Sequence, residues 1–401
     1  MTTQVSTAPR WDFALCRSAL FKLLPGLKHG TLHLQEGGQQ WRFGSGHPEV
    51  TLTVHHPRVW RSLLVGGSIA LAERYRDGDV DTDNLTQLLT LFARNLEWLD
   101  KLEQRFGFVL GPWQTLQHRL RHNSKANARK NIEAHYDLSN DFYRLFLDNG
   151  MVYSSGIWRE SDDLDQAQEA KIARLCEQLA LSQDDHLLEV GTGWGALAIH
   201  AARQYGCRVT TTTISEAQYQ EAKVRVEAAG LTDRIELLRL DYRDLTGEYD
   251  KIVSVEMIEA VGERYLPGFF QTLDRLLKPG GKVALQAITI ADQRYDSYRR
   301  GADFIQTYIF PGGFLPSVKL MGDLVAAQTN MVMRDLTDIG LDYARTLEHW
   351  RARFEAALPE VRKLGFDDPF VRLWRYYFCY CEAGFLTRRV STVQLTLEKA
   401  R

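Results

Sequence analysis

The order of apolar and polar residues divides the chain into two parts with different patterns. In the first part, up to about residue 110, short alternating runs separated by glycine-rich turns indicate strands. Apolar residues at helical spacing follow them and indicate helices. We therefore expect a small α+β unit. Its predicted elements are strands at 31–35, 40–44 and 50–56, a helix near 58–64, a loop at 72–85 and a long amphipathic helix at 85–106.

From about residue 164 onward the pattern alternates regularly between helix and strand. Apolar runs typical of buried strands are separated by segments with helical spacing. Such alternation predicts a doubly wound α/β domain, in which helices cover both faces of a parallel sheet. Strands are predicted at 186–190, 208–214, 234–240, 249–258 and 283–290, with helices at 167–180, 195–205, 216–230 and 265–278.

A basic segment separates the two patterns. Residues 115–130 contain five lysine and arginine residues and no acid. They predict either a solvated linker or a contact with anionic lipid headgroups, to which each cation contributes about 1 kcal/mol. The predicted organisation is an N-terminal unit at 1–114, a basic linker at 115–133 and a second domain at 134–401.

Composition narrows the class of protein. The 401 residues include 49 lysine and arginine and 51 aspartate and glutamate residues, a formal net charge of −2, so the basic field typical of nucleic-acid binding is absent. The cysteines are odd in number and lack the spacing of zinc ligands, which favours free thiols in a reducing cytoplasm and predicts no metal site. No apolar run reaches the roughly 18 residues of a spanning helix, so we expect any membrane contact to be peripheral.

A glycine-rich loop follows the first strand of the second domain. That strand ends in EVGTGWG (189–195), and a helix is predicted directly after it. Glycines allow the backbone to turn tightly and to approach a ligand, although a purely structural turn has the same sequence. The GxGxG spacing differs from the GxGxxG of dinucleotide sites, which favours a ligand without a pyrophosphate, such as S-adenosylmethionine. Gly191 and Gly193 would face its amino-acid portion, and Glu189 its ammonium group.

Two further features favour a methyltransferase over a dehydrogenase. The PGGK turn at 279–282 precedes a late strand, as is common in methyltransferases of this fold, and Asp241 in LDYRDL is predicted to accept a hydrogen bond from an adenine amino group. The second strand ends without the usual acid for the ribose hydroxyls. Thr213, Ser215 and Gln218 stand there instead as neutral hydrogen-bonding groups, and Gln218 is predicted to bind the ribose.

Several motifs, in the same order along the chain, resemble those of cyclopropane fatty acid synthases. The resemblance is strong over roughly residues 130–390, and LAERYRDGDVD (71–81) is similar to the N-terminal lipid-associated domain of that family. The motifs are AHYDLSNDFYRLFLD (134–148) with MVYSSGIW (151–158), EVGTGWG, TISEAQ, VSVEMIEAVG (253–262) and YIFPGGFLPS (308–317).

The resemblance implies a fold and a chemistry. The fold is a Rossmann-like methyltransferase domain preceded by the smaller α+β lipid-associated domain. In the family, S-adenosylmethionine methylates a cis double bond of a phospholipid acyl chain, and bound bicarbonate removes a proton from the carbocation so that a cyclopropane ring closes. An apolar, water-free cavity with aromatic walls would stabilise this cation. Tyr136, Tyr153, Ser154 and Gly195 join the predicted cofactor-binding residues.

The bicarbonate pocket is implied residue by residue. Glu259 in MIEAVG matches the pocket glutamate, Tyr377 in RYYFCYCEAGF matches the pocket tyrosine, and Ile288 would offer its backbone. Ser155 stands where the family usually has cysteine, and Gln286 where it often has histidine. Both side chains can hydrogen-bond an oxyanion but differ in geometry and basicity. For Tyr377, which lies in an aromatic helical stretch, core packing is the alternative.

The resemblance therefore implies a cytoplasmic enzyme that works at the inner face of the membrane on unsaturated phospholipid acyl chains and forms cyclopropane rings. Two alternatives stay open. One is the same methyl transfer with a methyl-branched or methylene acyl product. The other is a catalytically silent lipid-binding protein. Family members often form dimers, so a homodimer is expected, whereas no nucleic-acid partner is.

Overall fold

The computed structural model describes residues 10–98 and 138–401. Within these residues the chain forms two compact units. Unit 1 comprises 10–98 and Gly365–Thr387, and unit 2 comprises 138–364 and Arg388–Arg401. The predicted boundary at residue 114 and the predicted linker lie outside the described residues, so the domain limits stay a prediction.

Strands and helices are numbered separately along the described chain. The strands are β1 (Gly30–Glu36), β2 (Gln39–Ser45), β3 (Glu49–Val54), β4 (Val80–Thr82), β5 (His186–Val190), β6 (Arg208–Thr212), β7 (Ile235–Leu238), β8 (Tyr249–Val255), β9 (Leu277–Ile290), β10 (Met331–Asp338) and β11 (Val390–Lys399). The helices are α1 (Arg10–Leu23), α2 (Arg58–Arg76), α3 (Leu85–Arg94), α4 (Asn140–Arg144), α5 (Leu164–Leu179), α6 (Ala196–Tyr205), α7 (Glu216–Ala228), α8 (Leu266–Leu276), α9 (Asp292–Tyr298), α10 (Val318–Gln328), α11 (Gly340–Ala356), α12 (Leu358–Lys363) and α13 (Asp368–Leu386).

Unit 1 is built on a four-stranded sheet in the order β2-β1-β3-β4. β1 pairs in parallel with β3 and antiparallel with β2. The alternation in the sequence corresponds to one buried face, because Leu32 and Leu34 of β1 and Leu52 and Val54 of β3 are all buried. The three predicted strands and the α+β character of this unit are confirmed.

The structure corrects two predicted elements of unit 1. The predicted loop at 72–85 is helical up to Arg76 and contains the short strand β4. The helix predicted from residue 85 is interrupted at Asn95. The Asn95 amide group donates to the Leu91 carbonyl at 2.8 Å and accepts the Lys28 N–H at 2.8 Å. Its side chain therefore competes with the backbone bonds of the next helical turn.

The C-terminal helix α13 belongs to unit 1. From the sequence this helix was predicted to belong to the second domain at 134–401, but its polar side chains bind residues of the N-terminal part of the chain. The Arg372 guanidinium donates to the Tyr75 carbonyl at 2.5 Å and to Asp81 at 2.7 Å. The Thr86 hydroxyl donates to the buried Glu382 carboxylate at 3.0 Å. Local periodicity predicts such a helix but cannot indicate which distant segment it packs against.

Unit 2 contains a seven-stranded sheet in the order β10-β11-β9-β8-β5-β6-β7. The strands from β9 to β7 are parallel, and β11 and β10 extend the sheet antiparallel. Successive residues of the central strands enter different apolar clusters. Leu188 and Ile252 lie in one cluster, and Leu187 and Val253 lie in the other. Both faces are therefore covered, which confirms the predicted doubly wound domain.

The strand order creates a crevice beside β5. The chain leaves β5 towards β6 on one side, whereas β8 lies on its other side. At such a switch point the loops after neighbouring strands diverge at their carboxyl ends, and ligands bind in the crevice between them. Two loops therefore frame the candidate site. They are the glycine loop at 191–195, which follows β5, and the acidic turn at 256–259, which follows β8.

Candidate active site

The glycine loop has a backbone geometry that favours glycine. Gly191, Gly193 and Gly195 have positive φ angles of 106°, 53° and 91°. The N–H groups of Gly191 and Thr192 both donate to the Thr212 carbonyl at 3.1 Å, which holds the loop against β6. A Cβ built on Gly193 would meet no heavy atom of the described residues within 4 Å. The loop therefore borders open space where the sequence predicts the cofactor.

The glycine loop lies directly against the acidic turn. A Cβ built on Gly191 would stand 3.3 Å from Cγ of Met257, which lies between Glu256 and Glu259. The predicted cofactor loop and the turn that carries the predicted catalytic glutamate are therefore adjacent at the switch point.

Glu189, the last acid before the loop, is buried. Its carboxylate accepts a 2.6 Å hydrogen bond from the Thr211 hydroxyl. Burial raises the pKa of Glu189 to about 8, while the Thr211 bond and the positive charge of Lys171 act in the opposite direction. Its contact with the ammonium group of the cofactor stays a prediction.

Thr213, Ser215 and Gln218 form one hydrogen-bonded group at the end of β6. The Thr213 hydroxyl donates to Oε1 of Gln218 at 2.9 Å and accepts the Ser215 N–H at 3.1 Å. Ser215 also caps α7, because its hydroxyl accepts the Gln218 N–H at 3.3 Å. Since Oε1 of Gln218 accepts the Thr213 bond, the amide nitrogen is the group that would reach a ribose hydroxyl.

The Asp241 carboxylate, predicted to bind adenine, pairs with Arg243. Nε and Nη2 of Arg243 donate to its two oxygens at 2.8 and 2.5 Å. Asp241 also begins the short helical turn Tyr242–Asp244 by accepting the Arg243 N–H at 3.0 Å. The adenine contact stays a prediction.

Glu259 and Ile288, both predicted pocket residues, are in direct contact. The Ile288 N–H donates to Oε1 of Glu259 at 2.5 Å. The other carboxyl oxygen, Oε2, is shielded from solvent and has no hydrogen-bond partner among the described residues. Burial raises the pKa of Glu259 to about 8, and the negative charge of Glu256 adds to this rise. The Glu259 carboxyl group is therefore mainly neutral at pH 7.

Ser155 and Gln286 also lie at this site, but their polar side-chain atoms bind protein groups. The Ser155 hydroxyl donates to the Gly156 carbonyl at 2.9 Å. Nε2 of Gln286 donates to the Ser155 carbonyl at 3.2 Å and to Glu256 at 2.8 Å. Oε1 of Gln286 accepts a 2.9 Å bond from Gln394. Through these four hydrogen bonds, the Ser155 hydroxyl and both polar atoms of the Gln286 amide are engaged within the protein.

Glu256 and Tyr343 also lie at this site, and neither was predicted from the sequence to be a functional residue. The Glu256 carboxylate accepts the Ser155 N–H at 2.9 Å and the Tyr343 hydroxyl at 2.8 Å. Burial raises the pKa of Glu256, against the effect of its hydrogen-bond donors. One signal pointed to Glu256: a single acid directly after the buried strand β8, at the edge where parallel strands carry ligands. No comparable signal marks Tyr343.

Lys171 of α5 is a further residue that the sequence analysis missed. It is fully buried, and its ammonium group donates to the Ser154 hydroxyl at 2.8 Å. Burial lowers the pKa of Lys171 to about 8, while the charges of Glu256, Asp148 and Glu189 oppose this. Helical spacing places Lys171 among the buried apolar residues of α5. A lysine at such a position is unusual, and it could have been recognised from the sequence as a candidate functional residue.

The remaining predicted residues have different surroundings. The ring centroid of Tyr153 lies 5.2 Å from that of Trp350 and 6.3 Å from that of Phe310, in an aromatic group of unit 2. Tyr377 lies in α13 of unit 1, where its ring centroid is 5.3 Å from that of Trp374. Its place in the pocket stays a prediction. Tyr343 is a tyrosine of unit 2 whose hydroxyl donates to the acidic turn, at Glu256. Tyr136 lies outside the described residues.

The site fits one of the two predicted small ligands. Positive φ angles, open space at Gly193 and polar groups at the ends of β5 and β6 suit S-adenosylmethionine. Bicarbonate does not fit. The Ser155 hydroxyl, the Gln286 amide and the Ile288 N–H already donate to protein acceptors, and two of those acceptors are glutamate side chains. A bicarbonate ion at this place would lie beside the negatively charged Glu256 carboxylate, and these three donors would not be available to bind it.

Comparison with solved structures defines the class of protein. The chain is 30% identical to mycolic acid cyclopropane synthase CmaA1 complexed with SAH and CTAB, with a TM-score of 0.63 over 68% of this chain and 98% of that one. It is 28% identical, with a TM-score of 0.63 and the same coverage, to cyclopropane synthase MmaA2 from Mycobacterium tuberculosis. Fold and site together define an S-adenosylmethionine-dependent methyltransferase.

The sequence model of the mycolic acid cyclopropane synthetase family matches residues 123–395, and the chain belongs to this family. It is 39% identical over 372 residues to tuberculostearic acid methyltransferase of Mycobacterium tuberculosis, covering 88% of this chain and 84% of that protein. It is 34% identical over 356 residues to cyclopropane-fatty-acyl-phospholipid synthase of Escherichia coli, covering 88% and 89%. The resemblance found in the motifs is confirmed.

The described residues contain neither a cluster of metal ligands nor a helix that could span a membrane. Between residues 10 and 98 and between 138 and 401, no group of three or more histidine, cysteine, aspartate or glutamate side chains is arranged to hold a metal ion. In that part of the chain, every helix is too short or too polar to cross a membrane.

Proposed function

We propose that this methyltransferase transfers the methyl group of S-adenosylmethionine to a cis double bond of an unsaturated phospholipid acyl chain, and that proton loss then closes a cyclopropane ring. The observation that carries the proposal is the contact between the glycine loop and the acidic turn, where Gly191 lies against Met257. The reaction needs a methyl donor and a proton acceptor at one place; the glycine loop would bind the donor, and the acidic turn beside it carries two glutamates.

The residues around the glycine loop would hold the cofactor. When bound, S-adenosylmethionine supplies a methyl group attached to a positively charged sulfur. The backbone of Gly191 and Gly193 would contact its amino-acid portion, Gln218 its ribose and Asp241 its adenine. Ser154, which accepts the Lys171 bond, and Gly195 are proposed to complete this binding surface.

Aromatic rings in unit 2 would stabilise the positive charge on the substrate. Tyr153, Trp350 and Phe310 form one group, and the rings of Phe304 and Tyr308 lie 5.8 Å apart in another. The negative face of an aromatic ring stabilises a cation at close range, and apolar walls exclude the water that would quench the carbocation to an alcohol.

A second product is a methyl-branched or methylene acyl chain. Two observations favour it: Ser155 and Gln286 are engaged with protein groups, and one relative is a tuberculostearic acid methyltransferase. The first chemical step is the same for both products. The family resemblance gives bicarbonate the role of base, but the engaged donors do not fit it, so no step is assigned to bicarbonate.

The proposed function also includes a cellular location and an oligomeric state. We expect the protein to work at the inner face of the cytoplasmic membrane as a homodimer, with unit 1 and the basic segment 115–133 in contact with anionic lipid. Sedimentation with anionic vesicles at low salt, and release at high salt, would support this location. Equal sedimentation with neutral vesicles would contradict it.

The reaction is tested with purified protein, methyl-labelled S-adenosylmethionine and phospholipid vesicles. Monounsaturated chains should gain the mass of one CH2, and saturated chains should gain none. Resistance of the product to ozonolysis identifies the ring, whereas cleavage identifies the methylene chain. Cofactor binding without transfer to any lipid would contradict the proposal and support a catalytically silent lipid-binding protein.

A further inference from the structure

Glu256 has a backbone conformation that side chains rarely adopt. Its φ is +48°, in the left-handed region where a non-glycine residue is strained by about 1–2 kcal/mol. Strain of this kind persists where the surrounding contacts enforce it, and it is common at functional sites. The position therefore holds a glutamate despite a conformational cost, and the contacts of its carboxylate indicate why.

Three donors from separate parts of unit 2 hold the Glu256 carboxylate. Oε1 accepts the Ser155 N–H at 2.9 Å and the Gln286 amide at 2.8 Å, and Oε2 accepts the Tyr343 hydroxyl at 2.8 Å. Each carboxylate oxygen has two lone pairs, so Oε2 keeps the capacity to take a proton. The geometry orients the group while leaving it able to react.

We propose that the Glu256 carboxylate is the base that removes the proton from the methylated acyl chain, in the role that the family resemblance gives to bicarbonate. The inference rests on the proposed function, because this proton arises only after methyl transfer to a double bond. Ser155 and Gln286, both predicted to contact bicarbonate, contact Glu256 instead. The protein thus supplies its own carboxylate at the predicted place of the external one.

The surrounding charges make Glu256 the ionised member of the glutamate pair. It has three donors and the nearby positive charge of Lys171, whereas the Glu259 carboxyl group is held by backbone N–H groups and lies near the negative charge of Glu256. Burial raises the pKa of both groups, that of Glu259 to about 8, so Glu259 carries the proton at pH 7. A buried, ionised carboxylate is a stronger base than one in water, because protonation removes a poorly solvated charge.

The step balances without another reactant. The π electrons of the alkene form the bond to the methyl carbon while the methyl–sulfur bond breaks, and its electron pair stays on sulfur. The positive charge then resides on the other alkene carbon. Glu256 takes a proton from the new methyl group, and the C–H electron pair forms the last bond of the ring. The products are an acyl chain without charge, a neutral thioether sulfur and a protonated Glu256, which later releases its proton to water.

The first test replaces the base while keeping its shape. Glu256→Gln can accept the Ser155 and Gln286 bonds through its oxygen and can donate from its NH2 group to the Tyr343 hydroxyl, but it cannot take the proton. With vesicles of dioleoyl phosphatidylglycerol in buffer purged of carbon dioxide, we expect turnover to fall by about 10²–10⁴-fold. Affinity for S-adenosylhomocysteine, measured by calorimetry, should stay unchanged. Glu248→Gln, at an exposed glutamate, is the matched control and should keep the wild-type rate.

An isotope effect separates a base from a structural anchor. With a trideuteriomethyl donor, slow proton removal in Glu256→Gln should increase the ratio of the CH3 rate to the CD3 rate above the wild-type ratio. A glutamate that only supports the fold would lower both rates equally and leave the ratio unchanged, and that result would overturn the proposal.

Bicarbonate itself provides the second test. Wild-type turnover should be the same in purged buffer and with added bicarbonate. Glu256→Gly removes the base at a φ that glycine adopts without strain, so this variant should fold, lose turnover in purged buffer and regain part of it when bicarbonate is added. Loss of wild-type turnover in purged buffer, or full turnover of Glu256→Gln, would overturn the assignment. A wild-type protein that methylates no lipid in either buffer would instead refute the proposed function, and this inference with it.

Discussion

Replacing Glu259 by glutamine should change how stability depends on pH. The Glu259 carboxyl group has a pKa of about 8 in the folded protein, against an ordinary value of 4.5. Between these values the folded state binds more protons at this position than the unfolded state does. Its contribution to stability is therefore full below pH 4.5 and is lost as the pH rises towards 8.

The size of the effect follows from the two pKa values. Each pH unit between 4.5 and about 8 lowers the free energy of unfolding by up to about 1.4 kcal/mol, which amounts to about 3 kcal/mol by pH 7. Glutamine at position 259 can still accept the Ile288 N–H but does not ionise. Glu256 and Glu189, whose pKa values are also raised, contribute to both proteins, so most of their effect cancels in the difference.

Calorimetric unfolding at several pH values from 5 to 8 measures this difference. The relevant transition is the one that S-adenosylhomocysteine shifts upward, because a ligand stabilises the unit that binds it. We expect Glu259→Gln to gain stability relative to wild type as the pH rises, while Glu248→Gln keeps a constant difference. Parallel curves for Glu259→Gln and wild type would refute the buried, neutral state of Glu259.

Three further predictions test other parts of the site. Gly193→Val should weaken S-adenosylhomocysteine binding in calorimetry, because a branched side chain at φ 53° is strained and enters the open space beside the loop; unchanged affinity would move the cofactor elsewhere. Lys171→Met should lower the free energy of unfolding by about 3–5 kcal/mol at pH 7, because the buried acids around Lys171 lose its compensating positive charge. Urea denaturation measures this free energy, and an unchanged value would contradict the prediction. Burial raises the pKa of Cys176 to about 12, so the native protein should not be alkylated there at pH 8 in peptide mass spectrometry, and rapid labelling would contradict its burial.

The sequence predicted those parts of the fold that local pattern determines. Strands β1, β2 and β3 and the parallel strands around β5 follow from alternation or from short apolar runs. They were predicted close to their observed limits, except that β9 begins at Leu277 and therefore includes the predicted PGGK turn at 279–282. Strands β10 and β11 were not predicted, because β11 pairs with β9 and β10 pairs with β11, and both pairings join segments far apart in the chain. The grouping of α13 with unit 1 was missed for the same reason.

Some residues of the candidate site were likewise predicted from the sequence, and others were not. The glycine loop was predicted because a positive φ requires a particular residue type, which leaves a visible motif. Glu259 was found by family resemblance. Glu256 and Tyr343 were missed because their importance comes from a hydrogen bond between residues 87 positions apart. The resemblance named the residues expected around bicarbonate, but it could not show that Ser155 and Gln286 already bind protein groups.

The central claim is that the methyl donor and the double bond of an acyl chain meet between the glycine loop and the acidic turn. Mass spectrometry after reaction with trideuteriomethyl S-adenosylmethionine and monounsaturated phospholipid vesicles tests it most directly. We expect a modified acyl chain that has gained the transferred carbon with all but one of its deuterium atoms. An unmodified acyl chain, or a label retained complete on a headgroup oxygen or nitrogen, would contradict it.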